Sequence, residues 1–189
     1  MNNPFKFGTL VSNEYFTDRI EEYQKLLQIM NSANHLIMIA PRRYGKTSLI
    51  YKVVAATDRP VIWLDLQLLT GVTDFASQLL KQVFKKYPFE KIKFMVKNFR
   101  FVPNLTISPE SNNVEIAFQP GYDSFVQLED VFNLIENLGN DDVKPIVVLD
   151  EFQDINEDQY EFVKLIKERS SKSEEMRIIA TGDDDQNIY

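Results

Sequence analysis

The stretch that most constrains this chain is HLIMIAPRRYGKTSLIYKVV, residues 35–54. His35 to Ala40 is a short apolar run and reads as a buried parallel strand. A loop follows, and then apolar residues at helical spacing. Ala40 to Thr47 fits the pattern G-x-x-x-x-G-K-[ST] at every fixed position except the first, where Ala40 stands in place of glycine. A loop of this kind wraps a phosphate with backbone N–H groups, brings a lysine to the β- and γ-phosphates, and offers a hydroxyl to Mg²⁺. Gly45 permits close backbone approach, Lys46 supplies the charge and Thr47 the oxygen. The helix N-terminus adds its dipole. Ala40, Pro41, Arg42, Arg43, Tyr44, Gly45, Lys46, Thr47 and Ser48 are therefore the candidate binding segment for ATP. Ala40 leaves the lysine and the hydroxyl intact. Arg42 and Arg43 have two readings: contacts to phosphate or to a neighbouring subunit, or ordinary surface charge. The bland alternative for the whole motif is a chance GKT in a turn.

A second site element lies about a hundred residues on. Val147, Val148 and Leu149 form an apolar strand that ends in Asp150 and Glu151. In phosphate-loop enzymes one such carboxylate helps hold Mg²⁺, and the next is placed to orient and deprotonate a water. Asp150 takes the first role and Glu151 the second. Solvated acids at a strand end are the alternative.

The remaining pattern alternates strands with helices. A helix is expected to begin near Thr17, with Ile20, Tyr23, Leu27 and Met30 on one face. PVIWLDL, residues 60–66, reads as a buried strand, and residues 73–86 as a helix with Phe75, Leu79, Leu80 and Val83 inward. PFEKIKFMVKNF suits a short helix, and LTISPESNNVEIAF a β-hairpin within residues 103–119. Residues 124–138 suit a helix carrying Phe125, Leu128, Val131, Phe132 and Ile135, with Gly139 as its stop signal. KPIVVLD and MRIIATG read as further strands, separated by a helix from Asn156 to about Ser170 that opens on a capping box with Gln159. The expected fold is a three-layer α/β phosphate-loop sandwich with a mostly parallel sheet, incomplete at its C-terminus and carrying the hairpin as an insertion. Ligands of such sheets sit at the carboxyl ends of the strands, where all of these motifs fall.

Composition narrows the function classes. The chain has 189 residues and no cysteine, which excludes disulfides, zinc thiolate sites and a cysteine nucleophile. The first residues, MNNPFKFGTL, lack the pattern of a signal peptide. No apolar run approaches the roughly 20 residues needed to span a bilayer, so a cytoplasmic protein with no membrane partner is expected. From Asp150 onward there are twelve acids and five bases, 5 − 12 = −7, which equals the net charge of the whole chain. Such an acidic tail argues against generic nucleic-acid binding. The basic stretch Lys81, Lys85, Lys86, Lys91, Lys93, Lys97 and Arg100 contains Phe84, Tyr87, Phe94 and Phe99. It reads either as a stacking surface for nucleic acid or as helices with a solvated lysine face and an aromatic core face. His35, the single histidine, reads as a packing or strand-edge residue.

Several separated motifs carry a family resemblance. NPFKFGTLVSNEYFTDRIEEYQKLL, IAPRRYGKTSLI, VIWLDLQLLTGVTDFASQLL and VVLDEFQ together resemble prokaryotic AAA-like ATPases related to the STAND class, over about residues 3–153. That resemblance implies that Phe16 to Arg19 lie near the nucleotide base, so that Arg19 helps bind ATP. The alternative for Arg19 is a surface charge at a helix start. LDEFQDINEDQYEFVKLIKERSS and RIIATGDDDQNIY resemble instead the second and third motifs of UvrD/Rep-type superfamily 1 DNA helicases, over about residues 147–189. There the glutamine of the final loop senses the γ-phosphate, which implies that role for Gln186. Asn187 replaces the usual serine, and Asp183, Asp184 and Asp185 read as a solvated turn.

The two resemblances share DEFQ and meet where the charge changes, which points to a composite chain. Residues 1–153 would be the AAA/STAND-like ATP-binding domain. Residues 154–189 would be a helicase-like segment that completes or extends the same core. The expected function is Mg-ATP binding with slow hydrolysis, the nucleotide being the main partner and a protein partner or self-association the next. The alternative is the N-terminal fragment of a DNA-dependent superfamily 1 helicase, the one reading in which DNA is a partner. A third reading is a scaffold whose nucleotide site only switches conformation.

Overall fold

The computed structural model describes residues 19–32, 35–108, 113–139, 144–152, 168 and 177–182. Four strands form one parallel sheet: β1 (Leu36–Ile39), β2 (Val61–Asp65), β5 (Ile146–Asp150) and β6 (Arg177–Gly182), in the order β1-β6-β5-β2. The register pairs Leu36 with Ile179, Val147 with Ile178, and Asp65 with Asp150, so all four carboxyl ends reach one rim of the sheet. β6 lies between β1 and β5. The acidic C-terminal part of the chain therefore supplies an inner strand of the core. A second, antiparallel pair, β3 (Asn104–Ser108) and β4 (Asn113–Ala117), is the expected hairpin.

Among the described residues, five α-helices cover the sheet. α1 (Ile20–Met30) and α2 (Lys46–Ala55) pack on one face, where Leu26, Met30, Leu49, Ile50 and Val53 meet Ile146, Val148 and Ile179. α3 (Val72–Lys86), α4 (Phe89–Val96), α5 (Ser124–Leu138) and the hairpin pack on the other. There Phe75, Leu79, Leu80 and Val83 are all buried as their spacing requires, and Phe75 meets Phe132 with ring centroids 6.3 Å apart. α5 starts where Asp123 accepts hydrogen bonds from the N–H groups of Phe125 and Val126, a cap worth about 1 kcal/mol.

Some expectations change. Ile20 is 72% exposed, and the inward stripe of α1 runs through Leu26 instead. The expected start at Thr17 lies outside the described residues, and Arg19 occupies the N-cap position without a side-chain cap bond. β1 is not buried on both faces: Ile37 and Ile39 are 69% and 52% exposed, because the α3/α5 layer covers β2, β5 and β6 and stops short of this edge strand. Gly139 does end α5, but with φ −68°, so the stop is not a left-handed glycine cap. The helix expected from Asn156 to Ser170 lies outside the described residues apart from Glu168.

The basic stretch divides between core and surface. Phe84 and Phe99 are buried, whereas Phe94 is exposed. Arg100 donates to Asp130 at 2.8 Å and to Glu129 at 2.6 Å. Those two bonds, that to Asp130 first, raise its guanidinium pKa above the ordinary value. Burial likewise raises the Tyr87 phenol, whose hydroxyl has no hydrogen-bond partner among the described residues. His35 accepts a hydrogen bond at Nδ1 from the Ile178 N–H, which ties the start of β1 to β6. Arg59 had no signal in the sequence, yet it donates to the carbonyls of Lys144 at 2.6 Å and Met30 at 2.7 Å, joining the end of α1 to the lead-in of β5.

Candidate functional site

The site is built where β1 runs out into α2. The Ala40 N–H donates to the Gly182 carbonyl at 3.3 Å, so residue 40 prolongs the β1–β6 ladder. Among the described residues the positive φ angles outside glycine belong to Arg43 and Glu151, not to Ala40. Alanine is therefore tolerated at the first position of the motif, because this backbone does not need the freedom of glycine there.

The loop then turns tightly. The Tyr44 N–H donates to the Pro41 carbonyl at 3.2 Å, Arg43 has φ 65° and Gly45 has φ 72°. Gly45 is the N-cap of α2 and brings no side-chain cap. The first turn of a helix presents N–H groups that have no acceptor within the helix, and these face the loop together with the positive end of the dipole. Arg42, Arg43 and Tyr44 are exposed, Pro41 and Ser48 half-buried.

Lys46 and Thr47 open α2. Lys46 is buried, and its Nζ donates to the carbonyls of Ala40 at 2.7 Å and Pro41 at 3.3 Å. Its charge is thus held inside the curl of the loop. Thr47 Oγ1 donates to Asp150 Oδ1 at 3.3 Å, which joins two residues 103 apart in the chain. Asp150 is buried at the tip of β5. Its Oδ1 also accepts from the hydroxyl of Thr181, a fully buried residue on β6. The register accounts for this contact: Leu149 lies opposite Ala180, so Asp150 and Thr181 come next along the same pair of strands.

Glu151 follows with φ 56°, a left-handed conformation that costs a glutamate on the order of 1 kcal/mol or more. Its N–H points back to Thr181 Oγ1 at 3.4 Å and Asp150 Oδ1 at 3.3 Å, which fixes the turn. Strain of this kind clusters at functional sites. Arg19 also reaches the loop: its NH1 donates to the Tyr44 carbonyl at 2.7 Å, while its Nε pairs with Glu22 at 3.3 Å.

The structure therefore brings Arg19, Ala40 to Thr47, Asp150 and Glu151 to one rim. Gln186 lies outside the described residues, as do the acids at 183–185. Thr181 is the residue that sequence reasoning missed. Its only signal was a hydroxyl following the apolar run IIA in the strand RIIATG.

The donor set fits a magnesium nucleotide. A hydroxyl and a buried carboxylate 3.3 Å apart at the mouth of a phosphate loop are hard oxygen ligands of the type Mg²⁺ takes, with phosphate and water supplying the rest of its shell. Lys46 and the helix N-terminus supply the complementary charge.

Fold and site together define a P-loop ATPase or helicase-like domain. The chain belongs to the UvrD/REP helicase N-terminal domain family, whose model matches residues 12–189. That match extends through the phosphate loop, well beyond the helicase-like tail. Among solved structures, Cdc6p from Pyrobaculum aerophilum is similar at 14% identity and a TM-score of 0.55, over 96% of this chain and 42% of that one. The Aeropyrum pernix ORC1 protein, solved in complex with DNA, is similar at 13% identity and a TM-score of 0.54, over 87% of this chain and 38% of that one. The chain spans about two fifths of the length of these two relatives, and at such identities the likeness shows the fold alone. No curated protein matches the sequence. Among the described residues no helix is long and apolar enough to cross a membrane.

Proposed function

We propose that this chain binds Mg-ATP at its phosphate loop and hydrolyses it slowly. The observation that carries the reading is the meeting of Lys46 and Thr47 with Asp150 and Glu151, joined by the 3.3 Å contact between Thr47 and Asp150. In this reading Lys46 and the N–H groups of the loop bind the phosphates, and Thr47 and Asp150 hold Mg²⁺. Mg²⁺, when bound, neutralises charge that develops on the transferred phosphoryl group. Glu151 orients the attacking water and accepts its proton on the carboxylate. Thr181 keeps Asp150 and the Glu151 turn in place. Arg19, hydrogen-bonded to the Tyr44 carbonyl of the loop, helps bind ATP, and Gln186 is the γ-phosphate sensor. Turnover is slow because P-loop enzymes commonly draw a transition-state arginine from a partner.

Residues 1–153 form the AAA/STAND-like part, and residues 154–189 a helicase-like part of the same core. The inner position of β6 supports one shared core.

Membership of the helicase family favours a second reading, in which the chain is the ATPase portion of a DNA-dependent motor. One assay separates the two. ATP turnover is measured for the native chain and for Glu151→Gln at low salt, with and without single-stranded DNA. The first reading predicts a low rate that DNA leaves unchanged, and Glu151→Gln that binds ATP but turns it over at least about 100-fold more slowly. Several-fold stimulation by DNA establishes the second. Equal rates for native chain and variant contradict both.

A further inference from the structure

A second cleft lies at the opposite edge of the sheet. It has a volume of about 360 Å³, and its walls include Tyr51, Val54, Val61, Trp63, Gln82 and Lys86. Tyr51 and Val54 come from the C-terminal half of α2, Gln82 and Lys86 from the last turns of α3. These helices cover opposite faces of the sheet, so the cleft straddles the edge strand β2. On its inner side β2 pairs with β5, and among the described residues no strand pairs with its outer side. Val61 begins β2 and Val54 is near the end of α2, which puts the cleft toward the amino ends of the strands, away from the phosphate loop.

Three properties of the cleft point to one kind of occupant. An unpaired strand edge presents N–H and C=O groups spaced to match another extended backbone. The aromatic wall is accessible: Tyr51 is 51% exposed, with its ring centroid 6.3 Å from that of Trp63. The charge is positive, since Lys86 is exposed at the wall with Lys85 exposed beside it, and none of the described lining residues is acidic. A nucleic-acid strand fits less well. It offers no backbone partner for a strand edge, and a phosphate track needs a row of cations where this cleft is lined by one.

We propose that the cleft docks an acidic, extended peptide segment of a partner protein. The segment adds to β2 as a strand, lays an aromatic side chain against Tyr51 and Trp63, and sets a carboxylate against Lys86. Nucleotide and peptide occupy opposite ends of the sheet and bind together.

Trp63 is the single tryptophan of the chain, so its emission reports the cleft directly. The full chain is titrated with the peptide acetyl-EEFEVEE-amide, which absorbs little where tryptophan is excited. The expected result is a saturable change with a midpoint below about 1 mM, unaffected by ATP. Lys86→Glu, a change at an exposed position, weakens binding about fivefold or more. The same peptide N-methylated at alternate backbone nitrogens gives no saturation, and this arm needs no protein variant. The proposal is overturned if the unmodified peptide gives no saturable change, if the N-methylated peptide binds equally well, or if an oligothymidylate saturates the signal where the peptide does not.

Discussion

On one face of the sheet α3, α4, α5 and the hairpin bury a broad core that includes Phe75, Phe84, Phe99 and Phe132. On the other, α1 and α2 bury a smaller aliphatic set around Leu49, Ile50 and Val148. The first face has a capped helix and a packed aromatic pair. The second carries the helix whose N-terminus must stay uncapped, a loop with two residues at positive φ and a lysine curled into that loop. Bulk stability and chemistry are thus assigned to opposite faces, and the two meet through the tips of β5 and β6. Substitutions should separate accordingly: those on the first face unfold the chain, and those at the tips spoil the site.

The largest effect expected is from ending the chain at residue 153. This removes β6, the strand that joins β1 to β5, and so detaches the strand that leads into the phosphate loop. Circular dichroism and urea titration should show no cooperative native state. A truncated chain that still folds and binds ATP would mean that the tail is an appendage and not part of the core. Next is Phe132→Ala, deep in the larger core. It should cost about 3–5 kcal/mol in urea unfolding, while the folded fraction keeps its ATP affinity. Smaller in stability is Thr181→Val, which takes a buried hydroxyl from Asp150 and Glu151. A loss of about 1–3 kcal/mol is expected, with a fall in turnover relative to ATP affinity. If Thr181→Val leaves turnover intact, the link drawn between β6 and the site is wrong.

The sheet, α3, α4, α5 and the hairpin were legible because apolar periodicity and turn residues agree locally with the final packing. The phosphate loop and Asp150 were legible because their chemistry requires particular residue types at fixed spacing. Three features were not. The exposure of Ile37 and Ile39 depends on which helix fails to cover β1, and an apolar run has no record of that. Thr181 acts through its register opposite Asp150, a relation between strands that no local pattern encodes. Arg59 is an ordinary cation in sequence, and it matters because two carbonyls from distant segments end beside it.

The central claim is that the rim gathering Lys46, Thr47 and Asp150 binds Mg-ATP. Calorimetric titration of the full chain with ATP and Mg²⁺, alongside Lys46→Ala, tests it most directly. The account predicts saturable binding by the native chain that weakens when Mg²⁺ is chelated, and a loss of at least about tenfold, roughly 1.4 kcal/mol, in the variant. Unchanged nucleotide affinity after Lys46→Ala would contradict it.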